Sequence, residues 1–364
     1  MFTLSEIAFY TCLTLHMGTL FLQLISDGNK PHILVPRNIQ LVTIGGISVF
    51  TFLPVLRVIQ YFFSDEGLPF FEVIGSVLFT FEVGKAWLLS LVFSAVLLLF
   101  IYNTKPERTS SKKTILVKLA VICGLILTMG WGSHAASVVE GRGFITHSLH
   151  VLSLSVWIGI LIVVAWFSKG NANWLSFLAW FHPIAMICSG VTLATGIILT
   201  LFISPEYVNA VILPYGQALL IKHLLILPLL LFGFVSGFLL KKRVKAQPDF
   251  SPIFWLRAES VFVLGIFAAT GYMGQQEPPH DVATSLQMTN TSPLFTLLYQ
   301  GQMIGNPDLS LTVTPIGLLL TVVTILFGSL ILFSYVRKMS TLFSVGMGLL
   351  LAISGYFALM MSIQ

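Results

Sequence analysis

Apolar residues gather in ten long segments that are separated by short polar connections. Each segment holds about 20 residues or more, the length that an α-helix needs to cross the hydrocarbon core of a bilayer. The segments lie approximately at 4–26, 38–63, 80–102, 114–137, 146–168, 173–203, 215–240, 254–274, 313–336 and 341–362. The run 68–79 is too short to span and is interrupted by Pro and Gly, so we expect an interfacial lead-in to the third helix. The pattern predicts an all-α, polytopic transmembrane helix bundle of about ten spans.

Charged residues lie mostly in the connections, and their sign alternates from one connection to the next. The connections after the first, third, fifth, seventh and ninth segments hold Lys30, Arg37, Lys105, Arg108, Lys112, Lys113, Lys169, Lys241, Lys242, Arg243, Lys245, Arg337 and Lys338. The other connections are mostly acidic and contain one basic residue, Arg142. Because positive loops stay on the cytoplasmic side, we expect both termini outside the cell.

Composition narrows the class of protein further. Only 9% of the 364 residues are charged, against about 25% in soluble domains. This excludes a soluble enzyme and a nucleic-acid-binding protein. The sequence shows no P-loop, no phosphorylated-Asp signature and no Gly-rich dinucleotide turn. We therefore expect a transporter rather than an enzyme, working passively or driven by a gradient or a redox change.

The histidines are the main candidates for chemistry, because seven of the eight lie in or beside apolar segments. Polar side chains inside a bilayer are costly and often functional. His134 ends the predicted fourth helix, and His147 and His150 lie three apart near the start of the fifth, so this pair shares a helix face. Three imidazoles in a water-poor setting suit copper or zinc. The alternative is that they bond backbone carbonyls and anchor the helix ends.

Three further histidines lie deeper in predicted helices. His223 is expected ~12 Å below the outer surface. His16 lies mid-helix beside Met17, whose sulfur suits Cu(I). His182 precedes Pro183 and could satisfy the backbone group that this proline frees. Each of them could instead bond a neighbouring helix. The candidate metal ligands are therefore His134, His147, His150, His223, His16 and His182.

Several stretches resemble the CopD family, membrane proteins of bacterial copper uptake and copper resistance. They are VGKAWLLSLVFSAVLLL, GSHAAS, HSLHVLSLSVWIGIL, FHPIAMICSGVTLATGI, YGQALLIKHLLILPLLL and RAESVFVLGIFAATGYM, and they extend over about the first 280 residues. The resemblance implies copper transport across the bacterial cytoplasmic membrane, most simply inward. The family's motif histidines map onto His134 and His150, and His147 is an addition.

The resemblance also predicts how the chain is organised and what it binds. We expect a CopD-like eight-helix membrane domain at 1–274, an extracytoplasmic loop at 275–312 and two additional transmembrane helices at 313–364. The expected ligand is copper, as Cu(I) or Cu(II), and the protein should lie in the bacterial plasma membrane. No CopC-like copper-binding domain is recognised in the sequence, so a separate extracytoplasmic copper-binding protein is a candidate partner.

Two other functions remain open from the sequence. Intramembrane histidines on separate helices can clamp haem as paired axial ligands. His182 with His223, or His150 with one of them, would do so in a membrane redox protein. A copper-delivery factor for a respiratory oxidase would share the copper site but would need a protein partner. A Soret absorption band would distinguish the haem protein from a copper transporter.

Overall fold

The computed structural model describes residues 2–65, 69–103, 111–247, 250–299, 301 and 308–364. The α-helices within these residues are α1 (Phe2–Leu24), α2 (Arg37–Phe50), α3 (Phe52–Asp65), α4 (Phe70–Phe79), α5 (Glu82–Asn103), α6 (Lys112–Trp131), α7 (His134–Phe167), α8 (Trp174–Ile203), α9 (Tyr207–Ala210), α10 (Pro214–Phe234), α11 (Leu240–Ala246), α12 (Ile253–Met273), α13 (Val282–Met288), α14 (Pro293–Leu298), α15 (Pro315–Val336) and α16 (Thr341–Met360). A π-helix (Val235–Leu239) joins α10 to α11, and a 3-10 turn (Asp27–Asn29) follows α1. The short strands are β1 (His32–Ile33) and β2 (Ser168–Lys169).

Ten helical stretches within the described residues are long and apolar enough to cross a membrane, which confirms the predicted number of spans. The second span combines α2 and α3, and the seventh runs without interruption through α10, the π-helix and α11. Helix α4 has 10 residues and is too short to span, as its sequence predicted. The protein is therefore an all-α, multi-pass membrane protein. The side on which each terminus lies stays a prediction.

The chain forms two compact units, residues 1–202 and residues 203–364. Unit 1 holds the first six spans, and unit 2 holds the remaining four. The division predicted at residue 274 follows the family resemblance, whereas these units follow the packing of the helices. That predicted division therefore stays a prediction.

Helices α1 and α7 form the central contact of unit 1. Their backbones approach so closely at Gly18 and Gly159 that a side chain on either glycine would collide with the backbone of the other helix. After these helices end, β1 pairs with β2, with His32 opposite Lys169. Because the two helices both end at this strand pair, they run in the same direction.

Hydrogen bonds connect the ends of the odd-numbered spans on one face of unit 1. Arg37 donates hydrogen bonds to the carbonyls of Ile101 and Tyr102 at the end of α5, at 3.1 and 3.0 Å. A cation is favourable there because the last carbonyls carry the negative end of the helix dipole. The Trp180 indole on α8 donates to the carbonyl of Asn29 at 2.7 Å. The end of the third span and the connections after the first and fifth spans therefore share a face, as the charge pattern predicted.

Unit 2 shows the same alternation. The Tyr335 hydroxyl, near the end of the ninth span, donates to the carbonyl of Leu239 in the seventh at 2.9 Å. The guanidinium carbon of Arg243 lies 5.8 Å from the centre of the Tyr335 ring. At the other end of α15, Ser310 and Gln364 exchange two backbone hydrogen bonds of 2.9 and 3.0 Å. The basic ends of the seventh and ninth spans therefore lie together.

Candidate functional site

His134 begins a helix rather than ending one. The sequence placed it at the end of a fourth span that ran to residue 137, but α6 ends at Trp131 and α7 begins with His134. The hydroxyl of Ser133 accepts a hydrogen bond from the Ala136 amide at 3.2 Å and so caps this new helix. An N-cap of this kind satisfies an amide that has no partner within the helix. The His134 side chain is exposed on this capped turn.

Helix α7 bends sharply five residues later. Val139 and Glu140 have non-helical backbone angles, and Glu140 has a φ of 47°. Past the bend, Gly143 packs so tightly on the Ala135 carbonyl that a side chain there would collide with it. The chain therefore folds back on itself before the long membrane-spanning part of α7 starts. His147 and His150 lie in this long part.

His150 joins α7 to α8. Its Nδ1 atom lies 3.1 Å from the Thr195 hydroxyl oxygen. One turn further along α7, the hydroxyls of Ser153 and Thr192 lie 2.9 Å apart. These two contacts show that α7 and α8 are antiparallel. Moving three residues forward along α7 corresponds to moving three residues backward along α8.

The hydrogen bonds of Thr195 fix the tautomer of a neutral His150. A hydroxyl has one proton, and Thr195 donates it to the Val191 carbonyl at 2.6 Å. Thr195 must then accept from His150, so Nδ1 carries the imidazole proton. The lone pair consequently resides on Nε2, and an imidazole nitrogen with a lone pair can act as a metal ligand. A hydrogen bond that fixes the ring and its tautomer in this way is the usual support of a metal-binding histidine.

The α7–α8 register also places His147 and His182. His147 lies three residues before His150, towards the bend, and is half-buried. His182 lies 13 residues before Thr195 on α8, which puts it about 20 Å from His150 along the helix axis. It is half-buried and precedes Pro183, which the helix accommodates within its length. The two histidines therefore occupy different depths of unit 1.

His16 is the most deeply buried candidate, with an exposed fraction of 1%. The α1–α7 contact at Gly18 and Gly159 places it about 10 Å deeper than His150. Neither ring nitrogen of His16 has a hydrogen-bond partner within the described residues. The ring points away from α7, since Thr14 and Gly18 form the face that touches that helix. The Lys118 ammonium on α6 lies within electrostatic range of it.

His223 lies in unit 2 and contacts a tyrosine. Its Nδ1 atom is 2.9 Å from the Tyr207 hydroxyl, and the two rings stack with their centres 5.6 Å apart. Tyr207 belongs to the short helix α9, before the seventh span begins. Burial raises the pKa of Tyr207 to about 12. The phenol therefore stays neutral at physiological pH and can donate to His223 or accept from it.

The described residues contain no group of three or more His, Cys, Asp or Glu side chains that could hold a metal ion together. The structure thus does not bring His134, His147 and His150 together as a three-ligand site. It gives the histidines separate surroundings instead. Their role as metal ligands stays a prediction.

Sequence reasoning missed the two hydroxyl partners, Thr195 and Tyr207. The signal for Thr195 is its spacing, because Thr192 and Thr195 lie three apart in an apolar helix, as His150 and Ser153 do. Polar residues at equal spacing on two apolar helices favour contact between them. Tyr207 has no comparable signal, because it lies in a connection whose path depends on tertiary packing.

Comparison with known proteins matches residues 175–273 to the family model described as Copper resistance protein D, CopD. The chain is also 29% identical over 247 residues to the copper transport protein CutJ of Bacillus subtilis (strain 168). That match covers 64% of this chain and 46% of the relative, so the chain spans less than half of the relative's length. No solved structure shows significant similarity. The resemblance to the CopD family is confirmed.

Proposed function

Starting from the match of residues 175–273 to the CopD family model, we propose that this protein transports copper ions inward across the bacterial cytoplasmic membrane. The copper ion is the substrate, and the protein acts as a transporter rather than as an enzyme. The similarity to a protein named for copper transport supports this proposal. The ten apolar helices supply the membrane-spanning framework that it requires.

The observation that carries the proposal is the bond between His150 and Thr195. It leaves the lone pair of a neutral His150 on Nε2, the form in which imidazole binds a copper ion. Thr195 lies within the CopD-matched residues, whereas His150 lies before them. The matched segment therefore orients a histidine that another helix supplies.

In this proposal, copper passes along histidines that lie at different depths in the membrane. His134 and His147 receive the ion near the bend of α7, and His150 follows. His16 and His182 lie about 10 and 20 Å deeper than His150. Conduction requires several sites of modest affinity, since one tight site would trap the ion. Separate single histidines meet this requirement better than a preassembled three-histidine site would.

His16 and His223 have neighbours that bear on their roles in this path. The Lys118 ammonium lies within electrostatic range of His16 and repels a cation, so His16 would be a transient stop. His223, bonded to Tyr207, would be the copper ligand of unit 2.

Copper uptake into proteoliposomes tests this function. Purified wild-type protein should accumulate copper without any other protein, and His150→Ala should abolish most of this uptake. His280→Ala is the matched control, because His280 is exposed and lies outside the spans. Uptake by purified protein would also exclude the need for an oxidase partner. Stoichiometric haem with a Soret band, and no copper uptake, would overturn the proposal.

A further inference from the structure

A buried carboxyl group lies in unit 2, away from any of the histidines that the proposed function uses within that unit. Glu259, in the first third of α12, has an exposed fraction of 2%. Its Oε2 atom accepts a hydrogen bond from the Ser236 hydroxyl at 2.9 Å. Ser236 is itself 5% exposed and belongs to the π-helix. The carboxyl group is therefore enclosed by protein within a membrane-spanning helix.

Aromatic residues lie on the same face of α12 as this carboxyl group. Trp255 and Phe262 lie four before and three after Glu259, so the three residues share one face of α12. The Phe232 ring, on α10, lies 5.6 Å from Trp255 and 5.3 Å from Phe262, measured between ring centres. All three aromatic side chains are buried. An ionised carboxylate would be costly there because the phenyl rings of Phe232 and Phe262 carry no hydrogen-bond donor.

Ser236 contacts the carboxyl group from within the π-helix. The amide of Leu240 bonds to the carbonyl of Val235, five residues back, so this turn is wider than an α-helical turn. Single wide turns of this type are frequent at functional sites. One turn earlier in the same span, Gly233 lies against the carboxyl group, and a Cβ atom there would make an ordinary contact of 3.6 Å with Oε1. The seventh span thus contacts Glu259 through both Gly233 and Ser236.

The charged and titratable groups on the neighbouring elements leave Glu259 without a counter-ion. The structure gives Glu259 no ion pair within the described residues, and Ser236 is its one hydrogen-bond partner there. The groups on the helices around it are Tyr215, Lys222 and His223 on α10, Lys241, Lys242, Arg243 and Lys245 on α11, Tyr335 on α15, Tyr356 on α16, and Arg257 and Tyr272 on α12 itself. Lys222 and His223 lie 11 and 10 residues before Gly233, which is about 15 Å or more along α10. Arg243 instead stacks on Phe250, at 4.0 Å from the ring centre.

The geometry points to a proton-binding site formed by Glu259 and Ser236. A proton neutralises the carboxyl group without needing further ligands. A metal cation such as Ca²⁺ needs six or more oxygen ligands, whereas this site offers one carboxyl group and one hydroxyl among aromatic rings. The inference does not rest on copper transport. It gives unit 2 a group that can bind and release a proton inside the membrane.

Infrared spectroscopy of the full-length purified protein at neutral pH tests this site directly. The wild-type spectrum should contain a carboxylic-acid C=O band that moves to lower frequency in D2O and is missing from Glu259→Gln. The Ser236→Ala variant should keep the band at a higher frequency, since it loses the hydrogen bond to Oε2. The Glu206→Gln variant, which removes an exposed glutamate, should leave the band unchanged.

Three results would overturn the proton-binding site. The first is a loss of carboxylate bands, rather than of the acid band, in Glu259→Gln. The second is an acid band that disappears when sodium or calcium is added at constant pH. The third is an acid band whose frequency does not change in Ser236→Ala. This variant keeps Glu259, so it tests the site even if Glu259→Gln does not fold. Copper uptake is not measured, so this test can fail while the transport proposal stands.

Discussion

The imidazole of His150 and the hydroxyl of Thr195 are hydrogen-bonded across two neighbouring spans, at 3.1 Å. Ser153 and Thr192 repeat this contact at 2.9 Å one turn further along the same pair of helices. The two bonds hold the helices together in the same way, but only the first one involves a histidine. Substituting each threonine in turn therefore separates the contribution of the hydrogen bond to helix packing from its effect on the His150 imidazole.

Thr195→Val should weaken copper uptake by about 10- to 100-fold in apparent affinity, the usual effect of removing the support of a metal-binding histidine. Thr192→Val removes an equivalent hydrogen bond and should leave uptake close to wild type. Both variants should lose about 1 kcal/mol of unfolding free energy. Uptake kinetics in proteoliposomes and thermal unfolding in detergent measure the two effects. Equal losses of uptake in both variants would assign Thr195 a packing role alone.

His16→Leu should make the protein more stable and less active. The two ring nitrogens of His16 are buried without hydrogen-bond partners within the described residues, and burying such groups costs about 1–3 kcal/mol. Leucine avoids that cost at similar volume, so the unfolding temperature should rise. Copper uptake should fall, because a stop along the proposed path is lost. A more stable variant with undiminished uptake would remove His16 from the path.

Gly159→Ala should destabilise unit 1 by about 2 kcal/mol or more, because the added methyl group would collide with the backbone of α1. Gly190→Ala is the matched control. It places the same methyl group in another span where no atom lies within 4 Å, and alanine favours a helix over glycine by up to about 1 kcal/mol. Thermal unfolding of both variants measures the difference. If the two variants unfolded at the same temperature, the close α1–α7 contact would be wrong.

The Tyr207→Phe variant should lose less unfolding free energy than wild type as the pH rises into the alkaline range. The pKa of Tyr207 is about 12 in the folded protein, against an ordinary value of 10.0. Folding therefore retains a proton that the unfolded chain releases between these values, so the contribution of Tyr207 is present below pH 10 and is lost as the pH rises towards 12. Unfolding temperatures between pH 9 and pH 11 should decrease more steeply for wild type than for Tyr207→Phe. Parallel curves for the two proteins would contradict the burial of Tyr207.

Hydropathy and charge were sufficient to predict the ten spans and the alternation of basic loops. Both depend on the chemistry of the bilayer, which acts on each segment separately. The start of α7 was beyond this reasoning. The boundary at His134 depends on a cap at Ser133 and on the fit of Gly143 against Ala135, and those contacts join residues that hydropathy averages into one loop.

The surroundings of the histidines were the least predictable part of the site. The spacing of His147 and His150 is visible in the sequence, but the register that places Thr195 against His150 depends on how two helices pack. For the same reason, Met17 is visible beside His16 in the sequence, whereas Lys118 on another helix is not. Contacts between spans depend on how the helices pack, because a small shift in register changes which residues are neighbours.

The contact between Gly18 and Gly159 has a consequence for the synthesis of the protein. The first span finds its main partner only when the fifth has been made, 141 residues later along the chain. At translation rates of about 5–20 residues per second, this interval lasts roughly 7–28 s. During that time the glycine face of the first span and the buried imidazole of His16 lack their final neighbours. Nascent chains should therefore be most vulnerable to membrane proteases before the fifth span is inserted. Pulse-labelling of chains truncated before that span would measure this vulnerability.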